Sequence, residues 1–136
     1  MKKVLIALLL TLLICPCAQA FFKQRAYMVF DDQPITTKTV PKPRPVFKVG
    51  QRIHYAILCD KGFRDSVLKV QVIQKDEKSE FYGYTPLMNR EVEPQNPKFY
   101  IDYLVMHAKG YYIVQIFELK DLQKPIGYGE FWVEDK

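Results

Sequence analysis

The clearest alternation of apolar and polar positions along the chain lies near the C-terminus. Residues 111–119 form a predicted strand with Tyr112, Val114 and Ile116 on one face, because successive side chains of a strand point to opposite faces. A polar turn that contains a proline follows, and residues 128–133 form a second predicted strand. The pattern therefore predicts a β-hairpin.

One glycine precedes the second strand of this hairpin, and another lies within it. Phe131 and Val133 are expected to face the core. Gly127 and Gly129 allow a bulge or a close approach of another part of the backbone. We therefore expect a neighbouring element to pack tightly against this strand.

Five further segments show strand-like patterning. They are 25–30, 52–59, 66–74, 81–84 and 98–106. Residues 85–97 contain three prolines among polar residues and are predicted to be the longest loop of the compact region. No segment has a convincing helical period. Seven short strands separated by turn residues predict an all-β, antiparallel β-sandwich.

The corner before the hairpin resembles a feature of immunoglobulin-like sandwiches. In that family a tyrosine near the start of a late strand bonds back to the preceding corner through its hydroxyl, and Gly110 followed by Tyr112 matches that arrangement. Val114 stands where an antibody-type domain has a cysteine, and Trp132 is on the last strand instead of an early one. The resemblance implies a disulfide-free immunoglobulin-like or fibronectin-like module of about seven strands, and it implies no activity.

The N-terminus has the features of a secretion signal. A basic start, Lys2 and Lys3, precedes an apolar run that is too short to span a bilayer comfortably. Residues 18–20 form an Ala-Gln-Ala cleavage site. We expect a signal-peptide helix, cleavage after Ala20, and export to the bacterial periplasm or the medium. The predicted regions are a signal peptide at 1–20, an N-terminal extension and Pro-rich linker at 21–45, and a β-sandwich at 46–136.

The three cysteines bear on export and on reactivity. Cys15 and Cys17 follow the leucine-rich run, which leaves a lipoprotein signal as the alternative, although neither follows the small residue that lipidation requires. Cleavage would leave Cys59 alone, so no intramolecular disulfide is expected. We expect Cys59 to be a small buried apolar residue on a strand. A reactive thiol is the alternative, but it needs a nearby base.

Charge and residue spacing argue against several function classes. The formal net charge is +5, and the basic residues are scattered, so a nucleic-acid interface is not indicated. The soft or mixed metal ligands His54, Cys59, Asp102 and His107 have no recognised metal-site spacing. No nucleophile elbow or phosphate-binding glycine loop is present in the sequence. We therefore expect a protein that is not an enzyme and has no metal or cofactor.

Aromatic residues are the one compositional excess, with nine tyrosines, nine phenylalanines and one tryptophan. They either fill the core or form an exposed platform, since tyrosine and tryptophan are favoured at interfaces. The candidate binding residues are Tyr100, Tyr111 and Trp132, expected to face outward, and Arg90 in the predicted loop.

These observations predict a non-enzymatic binding module of the bacterial cell envelope. It would recognise another envelope protein through exposed aromatics, the loop or an edge strand. The alternatives are a carbohydrate-binding accessory module that takes a surface glycan and, less favoured, a small hydrolase or inhibitor. Membrane contact is expected through the leader or lipidation alone.

Overall fold

The computed structural model of the protein describes residues 24–75 and 84–135. Within these residues the chain forms eight strands and no helix. They are β1 (Tyr27–Asp31), β2 (Val46–Lys48), β3 (Arg52–Leu58), β4 (Leu68–Lys75), β5 (Tyr84–Val92), β6 (Phe99–Val105), β7 (Gly110–Glu118) and β8 (Gly127–Glu134). The predicted signal peptide and most of the predicted strand at 81–84 lie outside the described residues.

The strands form two sheets. One has three strands in the order β1-β3-β6, and the other has five in the order β2-β8-β7-β4-β5. Neighbouring strands are antiparallel except for β2, which is parallel to β8. β7 lies inside the larger sheet between β4 and β8, the position of strand F in immunoglobulin domains. The predicted immunoglobulin-like antiparallel β-sandwich is therefore confirmed.

The core lies between the two sheets and follows the predicted alternation. Tyr112, Val114, Ile116, Phe131 and Val133 of the hairpin are all buried, as expected. The inward positions of β3 and β4 complete the centre of the core: Ile53, Tyr55, Ile57, Leu68, Val70 and Val72. Cys59, which directly follows β3, is also buried, and its thiol donates to the Gly62 carbonyl at 3.2 Å. The expectation of a buried packing residue is confirmed.

Tyr112 makes the corner that the immunoglobulin resemblance implied. Its hydroxyl donates a hydrogen bond to the Ala108 carbonyl oxygen at 2.6 Å, four residues upstream. Burial of the side chain raises the pKa of Tyr112. The bond ties the start of β7 to the turn that precedes it.

The two hairpin glycines permit a close approach of the first strand region. A Cβ atom at Gly127 would lie 2.2 Å from the Ala26 carbonyl oxygen, and one at Gly129 would lie 2.6 Å from Cε2 of Phe30. Neither space admits a side chain. The predicted close approach at β8 is therefore confirmed.

The prediction of a loop at 85–97 is wrong, because most of this segment belongs to β5. Pro86 and the polar residues after it suggested a loop, but β5 is an edge strand, where a missing N–H and polar side chains are tolerated. The register also shifts beside the proline, so that Val72 pairs with Met88 and Ile73 with Pro86. The connection to β6 is limited to residues 93–98.

The sandwich begins earlier in the chain than the predicted boundary at residue 46. β1 pairs with β3 in the smaller sheet, and Ala26 and Phe30 belong to the core. β2, a strand of three residues, escaped prediction because it is too short to show a period. Residues 32–45, including the prolines, connect β1 in one sheet to β2 in the other, and the Pro45 carbonyl accepts a hydrogen bond from the Trp132 N–H at 3.0 Å.

Candidate functional site

The four predicted binding residues do not form one site. Arg90 and Tyr100 meet at the open side of the sandwich, where β5 of the larger sheet faces β6 of the smaller one. Tyr111 and Trp132 stack on the outer face of the larger sheet. The prediction that Tyr100 faces outward is wrong, since its side chain is buried and packs near Tyr55.

Arg90, Tyr100 and Asp102 form a polar link between the sheets. The Tyr100 hydroxyl donates to Oδ2 of Asp102 at 2.7 Å and accepts from the Arg90 guanidinium at 3.1 Å, and Arg90 also pairs with Asp102. Burial and the neighbouring Asp102 carboxylate raise the pKa of Tyr100. Burial alone would raise the pKa of Asp102, but hydrogen bonds from Tyr100 and the Tyr103 amide, with the charge of Arg90, hold it below its usual value. These groups satisfy one another, which indicates a structural link.

Trp132 has aromatic and cationic neighbours of its own. The Tyr111 ring stacks on it with centroids 4.9 Å apart, and the Arg44 guanidinium lies 4.7 Å from the indole centroid. The Tyr111 hydroxyl also bonds to Glu130. These contacts occupy indole surface that a stacked sugar ring would need, so this position does not favour the carbohydrate alternative.

The outer face of the three-stranded sheet gathers exposed apolar side chains in the described part of the chain. Side chains directly opposite each other on neighbouring strands share a face. Half of the large apolar residues that are exposed in the described residues lie on this one face, with exposed fractions from 36% to 53%. They are Tyr27, Leu58, Phe99, Ile101 and Tyr103. We call this set the apolar face.

The connection after β1 forms one wall of a groove on the apolar face. A cavity of about 480 Å³ lies between residues 35–41 and the sheet. The sheet side is lined by the apolar side chains Val29, Ala56, Leu58, Phe99 and Ile101, and the wall by Ile35, Pro41 and three threonines. The groove is therefore concave, mainly apolar, and within the size range of sites that take up ligand groups or side chains.

A basic residue stands at one end of the apolar face. The Arg52 guanidinium lies 4.3 Å from the ring centroid of Tyr103 at one end. Lys98, the residue before β6, is exposed, but its carbonyl accepts a hydrogen bond from the N–H of the buried Cys59 at 2.8 Å, which pairs it with an inward position and not with the apolar face. Neither forms an ion pair with an acidic side chain in the described residues. Asp31, beside His54 on the same face, pairs with Lys42 at 3.2 Å.

The edge of the sheet beside the apolar face is blocked. The N–H of Ile101 donates to the side-chain oxygen of Gln95 at 3.2 Å, and its carbonyl accepts from the Gln95 amide at 3.1 Å. The N–H groups of Phe99 and Tyr103 donate to the Asn96 carbonyl and to Asp102 Oδ1. Because alternate residues point to the same edge, these contacts occupy the outward N–H groups of β6 through Tyr103. A partner strand is thereby discouraged from pairing there.

The residues considered for metal or acid–base chemistry are dispersed over different parts of the fold. His54 lies on the outer face of the smaller sheet opposite Tyr103, Cys59 is buried, Asp102 belongs to the link between the sheets, and His107 is in an exposed turn. Among the residues that the structure describes, no group of three or more histidine, cysteine or carboxylate side chains could hold a metal ion. In the same residues, no helix has the length and apolar character needed to cross a membrane.

Sequence reasoning found the alternation in β3 and β6 but missed the apolar face. β6 has apolar residues at both sets of alternate positions, so its period does not show which set faces the core. The signal that pointed to the face was present in Phe99, Ile101 and Tyr103. It became informative only when pairing with β3 placed Leu58 and Tyr27 in the same rows.

Comparisons with known proteins bear on the fold of the chain and not on its function. No protein-family model matches the chain, and no curated protein matches it in sequence. Among solved structures, the PmoD soluble domain from Methylocystis sp. ATCC 49242 (Rockwell) is similar with a TM-score of 0.51 and 14% identity, over 84% of this chain and 94% of that one.

Two further solved structures are more distant. An immunoglobulin-like protein from Pseudomonas aeruginosa has a TM-score of 0.42 and 10% identity, over 81% of this chain and 98% of that one. An uncharacterized protein from Bacillus anthracis str. Ames has a TM-score of 0.44 and 15% identity, over 68% of this chain and 77% of that one. At these identities the comparisons bear on architecture, and the PmoD soluble domain is the one of the three whose score supports a shared fold.

Proposed function

We propose that the protein is a non-enzymatic recognition module that binds another protein through the apolar face. The observation that carries this proposal is the clustering of five large apolar side chains, partly exposed, on three adjacent strands. Contiguous exposed apolar surface of this kind marks interaction sites in soluble proteins.

The geometry favours the apolar face over the other surfaces that the sequence suggested. The predicted loop is the edge strand β5, with Pro86 and a register shift that interrupt its pairing. The β6 edge is occupied by side chains of its own chain. Trp132 is engaged by Arg44 and Tyr111. A binding mode based on face-to-face burial of apolar side chains therefore fits the structure best.

A pair of double variants tests this function. Phe99→Ser with Ile101→Ser removes two central side chains of the apolar face, and Tyr128→Ser with Leu122→Ser removes two somewhat more exposed apolar side chains elsewhere. The four side chains are 36% to 48% exposed, so both variants are expected to stay folded, and a cooperative thermal unfolding transition for each checks this. Each protein is tagged and used to capture partners from the cell envelope.

We expect the face variant to lose a captured protein at least about tenfold, the loss typical of removing a central contact residue. The control variant should retain it. Equal capture by both variants, with both folded, would contradict the proposal.

The predicted secretion signal suggests where in the cell this function is carried out. We propose that the protein is exported, with its mature N-terminus at Phe21, and acts in the periplasm or outside the cell. Fractionation of the producing bacterium, followed by N-terminal sequencing of the exported form, tests this. A cytoplasmic protein that retains Lys2 and Lys3 would contradict it.

A further inference from the structure

We propose that the protein has a second binding site, separate from the apolar face, which takes the phosphoryl group of a phosphate monoester. The site lies at the end of the sandwich where the segment before β1 meets the β3–β4 and β7–β8 connections. Three features of the described residues support it: a cavity with an excess of positive charge, carboxylates that are held by the chain itself, and basic side chains that the fold does not use.

The fold gathers basic residues that are far apart in the sequence. Arg25 precedes β1, Arg64 lies between β3 and β4, and Lys120 and Lys124 lie between β7 and β8. The segments meet at Glu118, the last residue of β7, whose carboxylate accepts hydrogen bonds from the Arg25 guanidinium and from the backbone N–H of Arg64. Basic residues that look scattered in the sequence therefore form one cluster.

A cavity of about 450 Å³ lies within this cluster, and its volume is in the range of sites that bind small ligands. Its charged lining consists of four basic and two acidic side chains: Arg25, Arg64, Lys120, Lys124, Glu118 and Asp121. The positive charges exceed the negative ones by two, so a ligand group with two negative charges matches the cavity. A phosphate monoester carries about −1.5 to −2 at neutral pH and has three acceptor oxygens, whereas a carboxylate carries a single charge.

The two carboxylates of the cavity are hydrogen-bonded within the chain. Glu118 is buried and accepts from the Arg25 guanidinium at 3.1 and 3.3 Å and from the Arg64 N–H at 2.8 Å. Oδ1 of Asp121 accepts from the N–H of Gln123 at 3.2 Å. The pair with Glu118 fixes Arg25 beside the cavity and uses two of its five N–H donors, which leaves the other three for a ligand.

The side chains of Arg64 and Lys120 are available to a ligand. Each residue is anchored through its backbone, since the Arg64 N–H bonds to Glu118 and the Lys120 N–H donates to Oδ2 of Asp65 at 3.1 Å. Both residues are exposed, and within residues 24–75 and 84–135 neither forms an ion pair with an acidic side chain. The planar guanidinium offers paired donors that fit phosphoryl oxygens, and the ammonium group adds a compact charge.

Calorimetric titration with glycerol phosphate tests the site. Arg64→Gln with Lys120→Gln removes two positive charges from the cavity and leaves the backbone hydrogen bonds of both residues in place. Lys38→Gln with Lys75→Gln removes the same charge at two exposed positions outside the cavity and is the matched control. We expect saturable binding to the native protein and to the control, and a loss of at least about tenfold in the cavity variant, the usual effect of removing charge-assisted hydrogen bonds.

A second variant and further ligands make the test more specific. The single variant Arg64→Gln should show part of the loss, and thermal unfolding checks that each variant is folded. Glycerol, which has no charge, should not bind, and dimethyl phosphate, a diester with one charge, should bind more weakly than the monoester. Vesicles that contain phosphatidic acid identify the source of the phosphoryl group: binding that the cavity variant loses assigns it to a lipid headgroup, and binding of glycerol phosphate alone assigns it to a soluble molecule.

Three outcomes would overturn this proposal. The first is no saturable binding of glycerol phosphate or of phosphatidic acid vesicles by the native protein up to millimolar phosphate. The second is equal weakening in the cavity variant and in the control, which would indicate attraction by the net charge alone. The third is equal affinity for the monoester and the diester. Capture of a partner through Phe99 and Ile101 is a separate measurement, so either site can fail without the other.

Discussion

Tyr112 shows how a single side chain fixes a corner of this sandwich. Its ring is buried and stacks on Phe131, while its hydroxyl reaches the Ala108 carbonyl. This position could be predicted from sequence because the glycine, the tyrosine and the spacing between them are local. The burial of Tyr100 could not, since it depends on a hydrogen-bonded link to Arg90 on another sheet, and no local pattern encodes such a contact.

Replacing Tyr112 with phenylalanine should measure the corner bond. The ring and its packing remain, but the hydrogen bond to the Ala108 carbonyl is lost, so the free energy of unfolding should fall by about 1 kcal/mol. Urea denaturation gives this value. Tyr128→Phe, at an exposed position, is the matched control and should leave stability unchanged, and a Tyr112→Phe protein as stable as the control would argue that the bond contributes nothing.

The buried tyrosines predict a loss of stability at high pH. Burial raises the pKa of Tyr55, Tyr100 and Tyr112 above the usual 10.0. The unfolded chain then loses these protons at a lower pH than the folded chain, so the stabilisation is complete below about pH 10 and declines as the pH rises through the folded pKa values. Urea unfolding followed from neutral to alkaline pH should show this decline together with the absorbance change of phenolate. A stability that stays level above pH 10 would contradict the assigned burial.

At the scale of the strands, most elements followed from period-two patterning, and the exceptions have physical causes. β3, β4 and β7 alternate because one face of each lies in the core. β5 did not look like a strand because it is an edge that accommodates Pro86 and polar side chains. β1 was assigned to an extension because its partner, β3, lies beyond the Pro-rich connection. The alternation of residues within one strand does not show which distant strand it pairs with.

The side-chain amide of Gln95 bonds to the backbone of Ile101 at the β6 edge, where a neighbouring strand would otherwise pair. Gln95→Ala should expose the N–H and carbonyl of Ile101, and an unpaired edge promotes pairing between copies. We expect concentration-dependent self-association to increase, measured by sedimentation velocity. Gln123→Ala, in an exposed turn, is the control and should stay like the native protein. Identical sedimentation of the two variants would show that the amide does not guard the edge.

At the scale of the whole molecule, the two sheets have different outer faces. The larger sheet carries mixed polar and aromatic positions with partners of their own, such as Glu130 with Tyr111. The smaller sheet leaves Tyr27, Leu58, Phe99, Ile101 and Tyr103 partly exposed beside a groove. This asymmetry arises from strand pairing and from the path of residues 32–45, so it could be found only once the fold was known. It is the basis of the proposed function in recognition.

The most direct test of this account is site-specific photocrosslinking in the cell that produces the protein. A photoreactive phenylalanine analogue replaces Ile101 on the apolar face in one variant and Tyr128 on the other sheet in a second. We predict a discrete crosslinked protein from position 101 and none from position 128. A crosslink from position 128 with none from position 101 would contradict the assignment of the apolar face as the recognition surface.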